Sequence, residues 1–341
     1  MTESAASGAR CRGRAWALTL VAGVLAAACH GRSDIPVRYG LWARSNEAQY
    51  AAVVTFKETL EARSQGRFKV SIYGGNDLGT PSEEMEQLAL NAIQFFASGS
   101  AGLDELEYLS LPYLLKDVDD YLQIIDGPIG RAWQERLTRQ SGVRLVGFLQ
   151  RGPRQVTANR IIRSLDDVKG LKLRVPELDY YVQTFVALGA KPTPMSFGEV
   201  YGALQTGVVD GQENPLETIY AQRYYEVQKS VAIVDYIVKP AYVMVSEPFW
   251  QARTAEERQW LLEAQRASEA ALAARLPADE GTLVAKMEAA GVVVTHPDKQ
   301  PFIDATQGVR DRLGQRVWGE EVYRQIVAIG RAPRRTRPPP P

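Results

Sequence analysis

Histidine and cysteine are nearly missing from this chain, with two of each in 341 residues. A histidine-built metal centre or a Ser-His-Asp triad therefore has almost nothing to be made from. A charge excess of either sign is missing as well, since 40 Lys and Arg face 40 Asp and Glu. Nucleic-acid binders carry a basic surplus to neutralise phosphates, so no nucleic acid is expected as a partner. Beyond residue 28 the sequence has no GxGxxG, Walker A, HExxH, GxSxG or CxxC pattern. No cofactor, metal or catalytic centre is therefore expected, and the chain does not read as an enzyme. The acidic pairs Glu83-Glu84, Asp166-Asp167 and Glu256-Glu257 fall at helix starts or turns, where the helix dipole accounts for them. His296 ends a strand-like run and reads as a cap or a solvated side chain.

What is present is ordinary globular composition, 45% hydrophobic and 23% charged. The length exceeds what one core usually supports, so two lobes of roughly 100–200 residues each are expected. The first 28 residues stand apart. Arg10, Arg12 and Arg14 precede Ala15 to Ala28, a run of 14 residues without a charge. As a helix that run spans about 21 Å, too short for a ~30 Å hydrocarbon core, and the pattern is that of a secretory signal peptide. Its exit, Leu25-Ala26-Ala27-Ala28-Cys29, resembles a bacterial lipobox with Ala26 in place of the usual branched residue. Cys29 is thus the candidate for lipid attachment, because a lone exposed thiol is a liability in an oxidising compartment. Plain cleavage after Ala28 is the competing reading, and either route leads to the periplasm. Loss of the signal removes three Arg and one Glu, leaving 37 basic against 39 acidic residues.

The mature chain opens on a β-α-β-α-β pattern. Strands are predicted over 36–42, 68–73 and 91–97, with helices over 46–63 and from Pro81 behind a Thr80 cap. Residues 117–140 read as mostly helical and 143–149 as a strand. The α/β pattern then resumes, with extended segments at 155–158, 171–175, 231–236 and 241–245. Ser196 and Asn214 stand as N-caps of further helices, and Thr254 caps a long helix reaching about Leu276. The expected division is an N-terminal α/β lobe over 29–150 and a second α/β lobe over 151–245. Residues 246–330 should form a long helix and further segments packing across both lobes. The Arg- and Pro-rich stretch 331–341 should be a disordered tail.

Candidate chemistry sits between 150 and 215. A Gly-Pro turn delivers Arg154 to an extended segment, and alternation in Leu171-Lys172-Leu173-Arg174-Val175 puts Lys172 and Arg174 on one face. Two permanently charged, planar guanidinium groups reaching one cleft would suit a carboxylate. On spacing alone, solvated surface arginines remain the competing reading. Asn214 can cap a helix and still face a ligand. Phe197 and Trp42 are each candidates either for a core or for an apolar cleft wall.

The stretches GPRQVTAN (152–159), SLDDVKGLKLRVPE (164–177), GAKPTPMSFGEVYGALQTGVVDGQENP (189–215) and YYEVQKSVAIV (224–234) carry a resemblance. They resemble the substrate-binding subunit of TRAP transporters, the DctP-type family, and within it the sialic-acid-binding branch. The resemblance implies a two-lobed α/β clamp of the periplasmic-binding-protein kind with a long connecting helix. Its function would be to capture a small organic acid and deliver it to a permease of small and large integral-membrane subunits. A periplasmic sensory receptor for a carboxylate, or a periplasmic hydrolase, are the alternatives. The resemblance assigns the carboxylate clamp to Arg174, a second ligand contact to Arg154, an amide contact to Asn214 and an aromatic wall to Phe197. Trp42 is expected to fill space. Two departures stand out. Sialate binders carry carboxylates where this chain has Gly79-Thr80-Pro81-Ser82 and Ala97-Ser98-Gly99-Ser100, with no acid at the expected places, and Ser98 is the candidate ligand contact there. Unmatched hydroxyl donors would each cost about 1–3 kcal/mol, which favours a smaller or less hydroxylated acid. Pro277 falls inside the long helix and is expected to kink or break it.

Overall fold

The structure, a computed structural model, describes residues 33–332 apart from the side chains at 277–279. The basic leader, the apolar run, Cys29 and residues 333–341 of the tail lie outside the described residues.

β1 (Ile35–Leu41) alternates as its sequence predicts, burying Val37, Tyr39 and Leu41. α1 (Ala48–Arg63) adds Ala52, Phe56 and Leu60, an i, i+4 stripe, to the same core. β2 (Phe68–Tyr73) pairs parallel with β1. α2 (Pro81–Ala89) opens on a complete capping box, in which Thr80 accepts from the Glu83 N–H and Glu83 accepts from the Thr80 N–H. β3 (Phe95–Ser98) pairs parallel with the other edge of β1. It starts later than predicted because Asn91 turns the chain at φ 59°. After α3 (Asp104–Glu107), α4 (Val118–Ile125) and α5 (Pro128–Ser141), β4 (Val143–Leu149) completes the first half.

The second half continues through β5 (Arg154–Ala158), β6 (Lys172–Val175), α6 (Asp179–Ala187), β7 (Lys191–Pro194) and α7 (Val200–Thr206). It goes on through β8 (Gly211–Pro215), α8 (Leu216–Ala221) and β9 (Ser230–Ala232). Last come β10 (Ala241–Ser246), α9 (Glu247–Gln251), α10 (Ala255–Ala289), β11 (Val293–Thr295) and α11 (Gln300–Arg331). The first sheet has the order β2-β1-β3-β10-β4 and the second β11-β9-β5-β8-β6-β7.

β10 corrects one expectation. Residues 241–245 belong with the first sheet, where β10 runs antiparallel between β3 and β4. All its residues are buried, and a strand apolar on both faces is stable only as an interior strand. The chain thus crosses between the sheets at 150–153 and again at 233–240. These crossings are tied together where the Arg154 N–H donates to the Ile237 carbonyl at 2.9 Å.

One hydrophobic core joins the lobes on this side, running from α4 and α5 through β4 and β10 to β6, α6 and α11. A second core lies under α1, and its members on α10 include Leu261, Leu272 and Leu276. A third lies under α7 and α8, and α10 reaches it with Met287. α10 therefore spans both lobes. Its 35 residues form one helix, longer than the predicted end at Leu276 and unbroken at Pro277. A proline in a helix interior costs about 3 kcal/mol; anchorage in one core before it and another after it holds the backbone helical. α11 does change direction, at Gly319, whose φ of 75° suits glycine.

Thr254 caps α10 through a second full capping box with Glu257. Thr254→Ala is expected to cost about 1 kcal/mol. The urea midpoint should fall with an unchanged slope.

Candidate ligand-binding cleft

The facing edges of the lobes enclose a cavity of about 450 Å³. Trp42, Arg44, Gly75 and Asn76 line it from the loops after β1 and β2. Phe197, Tyr201, Arg223 and Tyr224 line it from the segments around α7 and α8. Phe197 and Trp42 are both half-buried wall residues, so the core reading of Phe197 does not hold.

Arg174 lies on β6 with 3% of its surface exposed. Its Nε and Nη2 both donate to the Met195 carbonyl, at 3.0 and 2.7 Å. Met195 leads directly into Phe197, and Tyr224 of the cavity wall lies within electrostatic reach of the guanidinium. Arg174 forms no ion pair among the described residues. Burial lowers its pKa, with Glu213 opposing the shift. A guanidinium held out of water without a carboxylate partner is costly unless an anion arrives.

Arg154 is placed differently from its expected role. It starts β5, and the antiparallel register with β8 sets Arg154 opposite Pro215, one diagonal step from Glu213. Its Nε and Nη2 both donate to the Glu213 carboxylate. Nη2 also donates to the Glu213 carbonyl at 3.0 Å and to Asn214 Oδ1 at 3.1 Å. The Tyr236 hydroxyl donates to Glu213 as well, and the Tyr181 ring lies 5.3 Å from the guanidinium carbon. Burial disfavours the charge of Arg154, yet Glu213 raises its pKa well above the usual arginine value. Only Nη1 makes no hydrogen bond among the described residues, so this arginine has one free edge.

Asn214 is not a helix N-cap. It is a residue of β8, and Pro215 occupies the position before α8. Both ends of its amide are engaged, because Nδ2 donates to Gln212 Oε1 at 2.7 Å while Oδ1 accepts from Arg154. The capping reading fails because the ladder with β5 extends to Pro215. Ser98 is buried at the end of β3, where its Oγ accepts from the Ser100 N–H at 3.1 Å. Thr80 is held in its capping box, so neither stretch that lacks an acid turns a carboxylate toward the cleft.

Three residues that belong to this junction were not candidates. Glu213 is charged in a strand whose every residue is buried, and such a residue must have a partner. Arg151 is buried on the crossing segment, its guanidinium 5.0 Å from the centre of the Trp42 ring. Its signal was the pair of arginines three apart around a Gly-Pro turn. Glu47 is buried at the start of α1, where Oε1 accepts from the Arg44 N–H at 2.8 Å and Oε2 has no partner among the described residues. Burial pushes the Glu47 carboxyl up to about 7, against the Arg44 hydrogen bond and the charge of Arg151.

Two outcomes are expected. Glu213→Gln leaves Arg154 buried beside a neutral amide and should lower stability by about 3–5 kcal/mol in denaturant unfolding. For Glu47, an acid with a raised folded-state pKa, the folded state gains from the proton. Stability should therefore fall as pH rises from the ordinary glutamate value towards 7, by up to about 3 kcal/mol. Glu47→Gln should flatten that part of the pH–stability curve.

Among the described residues, no group of three or more His, Cys, Asp or Glu could hold a metal, and no helix is long and apolar enough to cross a membrane. Residues 40–316 match the bacterial extracellular solute-binding protein family 7, or DctP. The sialic acid-binding periplasmic protein SiaP of Vibrio cholerae is 32% identical over 316 residues, covering 92% of this chain and 98% of that protein. The C4-dicarboxylate-binding periplasmic protein DctP of Rhodobacter capsulatus is 29% identical over 276 residues, covering 78% and 83%. The fold is also that of a TRAP periplasmic solute-binding protein from Pseudomonas putida crystallised with D-glucuronate. The TM-score there is 0.80 at 26% identity, covering 86% of this chain and 97% of the other. With two α/β lobes around a cleft and a match over most of its length, this chain belongs to the bacterial extracellular solute-binding protein family 7, the extracytoplasmic binding proteins of TRAP transporters, and is not an enzyme.

Proposed function

We propose that this protein captures a small organic acid by its carboxylate and delivers it to a TRAP permease of small and large integral-membrane subunits. The observation that carries the reading is Arg174: a buried, permanently charged fork whose only acceptor among the described residues is a backbone carbonyl. A carboxylate on its free donors would form charge-assisted hydrogen bonds and remove the penalty of the unpaired charge. Arg154 adds Nη1, Asn214 holds Arg154 in place, and Phe197 and Trp42 give apolar walls from opposite lobes. Ligand contacts from both lobes favour a closed form over an open one, a population shift driven by the ligand. Thr80 and Ser98, engaged in local hydrogen bonds, support an acid smaller or less hydroxylated than sialate.

Purified mature protein should show ligand-dependent thermal stabilisation in a panel of small carboxylates. Arg174→Ala should weaken the best ligand by about 100-fold, equivalent to two charge-assisted hydrogen bonds. Its ligand-free melting temperature checks folding, because the substitution also takes both side-chain donors from the Met195 carbonyl. Unchanged affinity in that variant would remove the clamp assignment. The Leu25–Cys29 stretch supports periplasmic export with lipid attachment at Cys29. Intact mass of the mature protein from a membrane fraction should show an acylated Cys29 as the first residue, and an unmodified mass would reject the anchor.

A further inference from the structure

We propose that the cavity at the lobe crossings is a second ligand site, for a small organic cation whose ammonium group sits on Glu280. The inference stands apart from the receptor reading, because this cavity and the cleft share no lining residue.

The cavity has a volume of about 540 Å³, within the range of roughly 300–1,000 Å³ that small-molecule sites occupy. Both crossings contribute to it, through Gly152 and Pro153 on one and Asp235 and Val238 on the other. α10 contributes Leu276 and Glu280, and the start of α11 contributes Lys299 and Ile303. Each of these helical pairs is spaced i, i+4, which puts both members on one face. Pro153, Val238, Leu276 and Ile303 give the cavity an apolar wall.

The charged lining is balanced except at one place. Lys299 pairs with Asp235, and Asp235 also accepts from Gln155 Nε2 at 2.6 Å. Lys116 donates to the Ala332 carbonyl, and Asp117 Oδ1 accepts from the Asp120 N–H at 3.1 Å. The charge of Arg151 is faced by Glu217 and Glu47. Glu280, half-buried, makes no hydrogen bond or ion pair among the described residues.

Behind Glu280 lies Glu217, only 7% exposed. Its Oε1 accepts from the Gly152 N–H at 3.2 Å, while Oε2 is buried with no partner among the described residues. Gly152 has no side chain to separate the two acids. A Cβ placed there would be 2.5 Å from Glu280 Oε1 and 3.1 Å from Glu217 Oε2, so both oxygens converge on one spot at the cavity wall. Burial and the charges of Glu217 and Asp235 all raise the Glu280 pKa. A positive charge at that spot relieves the strain on Glu280. Glu217 is already faced by Arg151, so one cationic group is enough. An ammonium group would donate charge-assisted hydrogen bonds to the carboxylate, with its carbon body against Val238, Leu276 and Ile303. Calcium and magnesium need about six or more oxygen ligands, which two carboxylates and an apolar wall do not supply.

The test uses matched pairs that differ in charge: cyclohexylamine with cyclohexanol, and butylamine with butanol. In calorimetric titration of the mature protein, the amine of the better pair should bind about ten-fold tighter than its alcohol. Glu280→Gln should remove that preference and leave the affinity for the alcohol unchanged. Ile303→Trp, which fills the cavity, should abolish binding of both, and the melting temperature of each variant checks folding. Arg174→Ala should leave amine binding unchanged. Equal affinity within both pairs, or an amine preference that survives Glu280→Gln, would overturn the proposal. Loss of amine binding in Arg174→Ala would put the amine in the cleft and overturn it too. Displacement of the amine by sodium chloride at equal concentration would make this an ion site and reject the organic ligand. Failure of every carboxylate to bind removes the receptor reading alone, since amine binding that depends on Glu280 would still stand.

Discussion

Taking a guanidinium out of water costs several kcal/mol unless an opposite charge or a full set of acceptors goes with it. This protein does so three times at one junction, with Arg151, Arg154 and Arg174 all buried. The three are not equivalent. Arg154 is compensated by Glu213 and joined to it through the β5–β8 ladder, so it reads as structure first and ligand contact second. Arg174 and Arg151 are buried with no ion pair among the described residues, their charge offset only at a distance, by Glu213 for Arg174 and by Glu217 and Glu47 for Arg151, and that is the imbalance among the three. The body of the chain is acidic once the leader and tail are set aside, so attraction of an anion depends on these few groups and not on the overall field.

The fold arranges this imbalance by topology. Arg151 and Arg154 sit where the chain first leaves one sheet for the other, and Tyr236 and Ile237 sit on the return crossing beside them. The buried arginines and the two crossings thus share one junction of the backbone. Lys239, on that return crossing, is buried against Glu107 at 2.7 Å and the Tyr180 hydroxyl at 2.8 Å. Glu107 in turn accepts from the Ala101 N–H and the Ser100 hydroxyl, fixing the loop after β3. One ion pair therefore ties a crossing, the loop after β3 and α6 of the opposite lobe.

Much of this was legible in the sequence and some was not, for identifiable reasons. Period-two alternation in β1 and β2 and the Thr80 and Thr254 capping boxes are local signals, and the structure keeps them. The two lobes followed from length and from the repeated α/β pattern. β10 was assigned to the wrong sheet because an all-apolar strand carries no alternation to say which neighbours it will have. Asn214 was misread because Asn-Pro-Leu-Glu looks like a helix start locally, and only the pairing with β5 makes it strand. Arg174 was visible as an arginine on the face opposite Leu173, but nothing in its neighbourhood told it apart from Arg154. That distinction depends on Glu213, which is a long-range contact.

α10 has a mechanical consequence. At 35 residues it is a beam of about 52 Å, clamped at one end by the core under α1 and at the other by the core under α8. A beam clamped to two bodies bends between the clamps whenever one body moves against the other. Its last anchor in the first core is Leu276, its first buried anchor in the other is Met287, and Pro277 opens the span between them. Proline has no N–H to give, so the helix lacks one rung at the place where flexure concentrates. The helix is thereby least stiff between its two anchorages, without loosening either core.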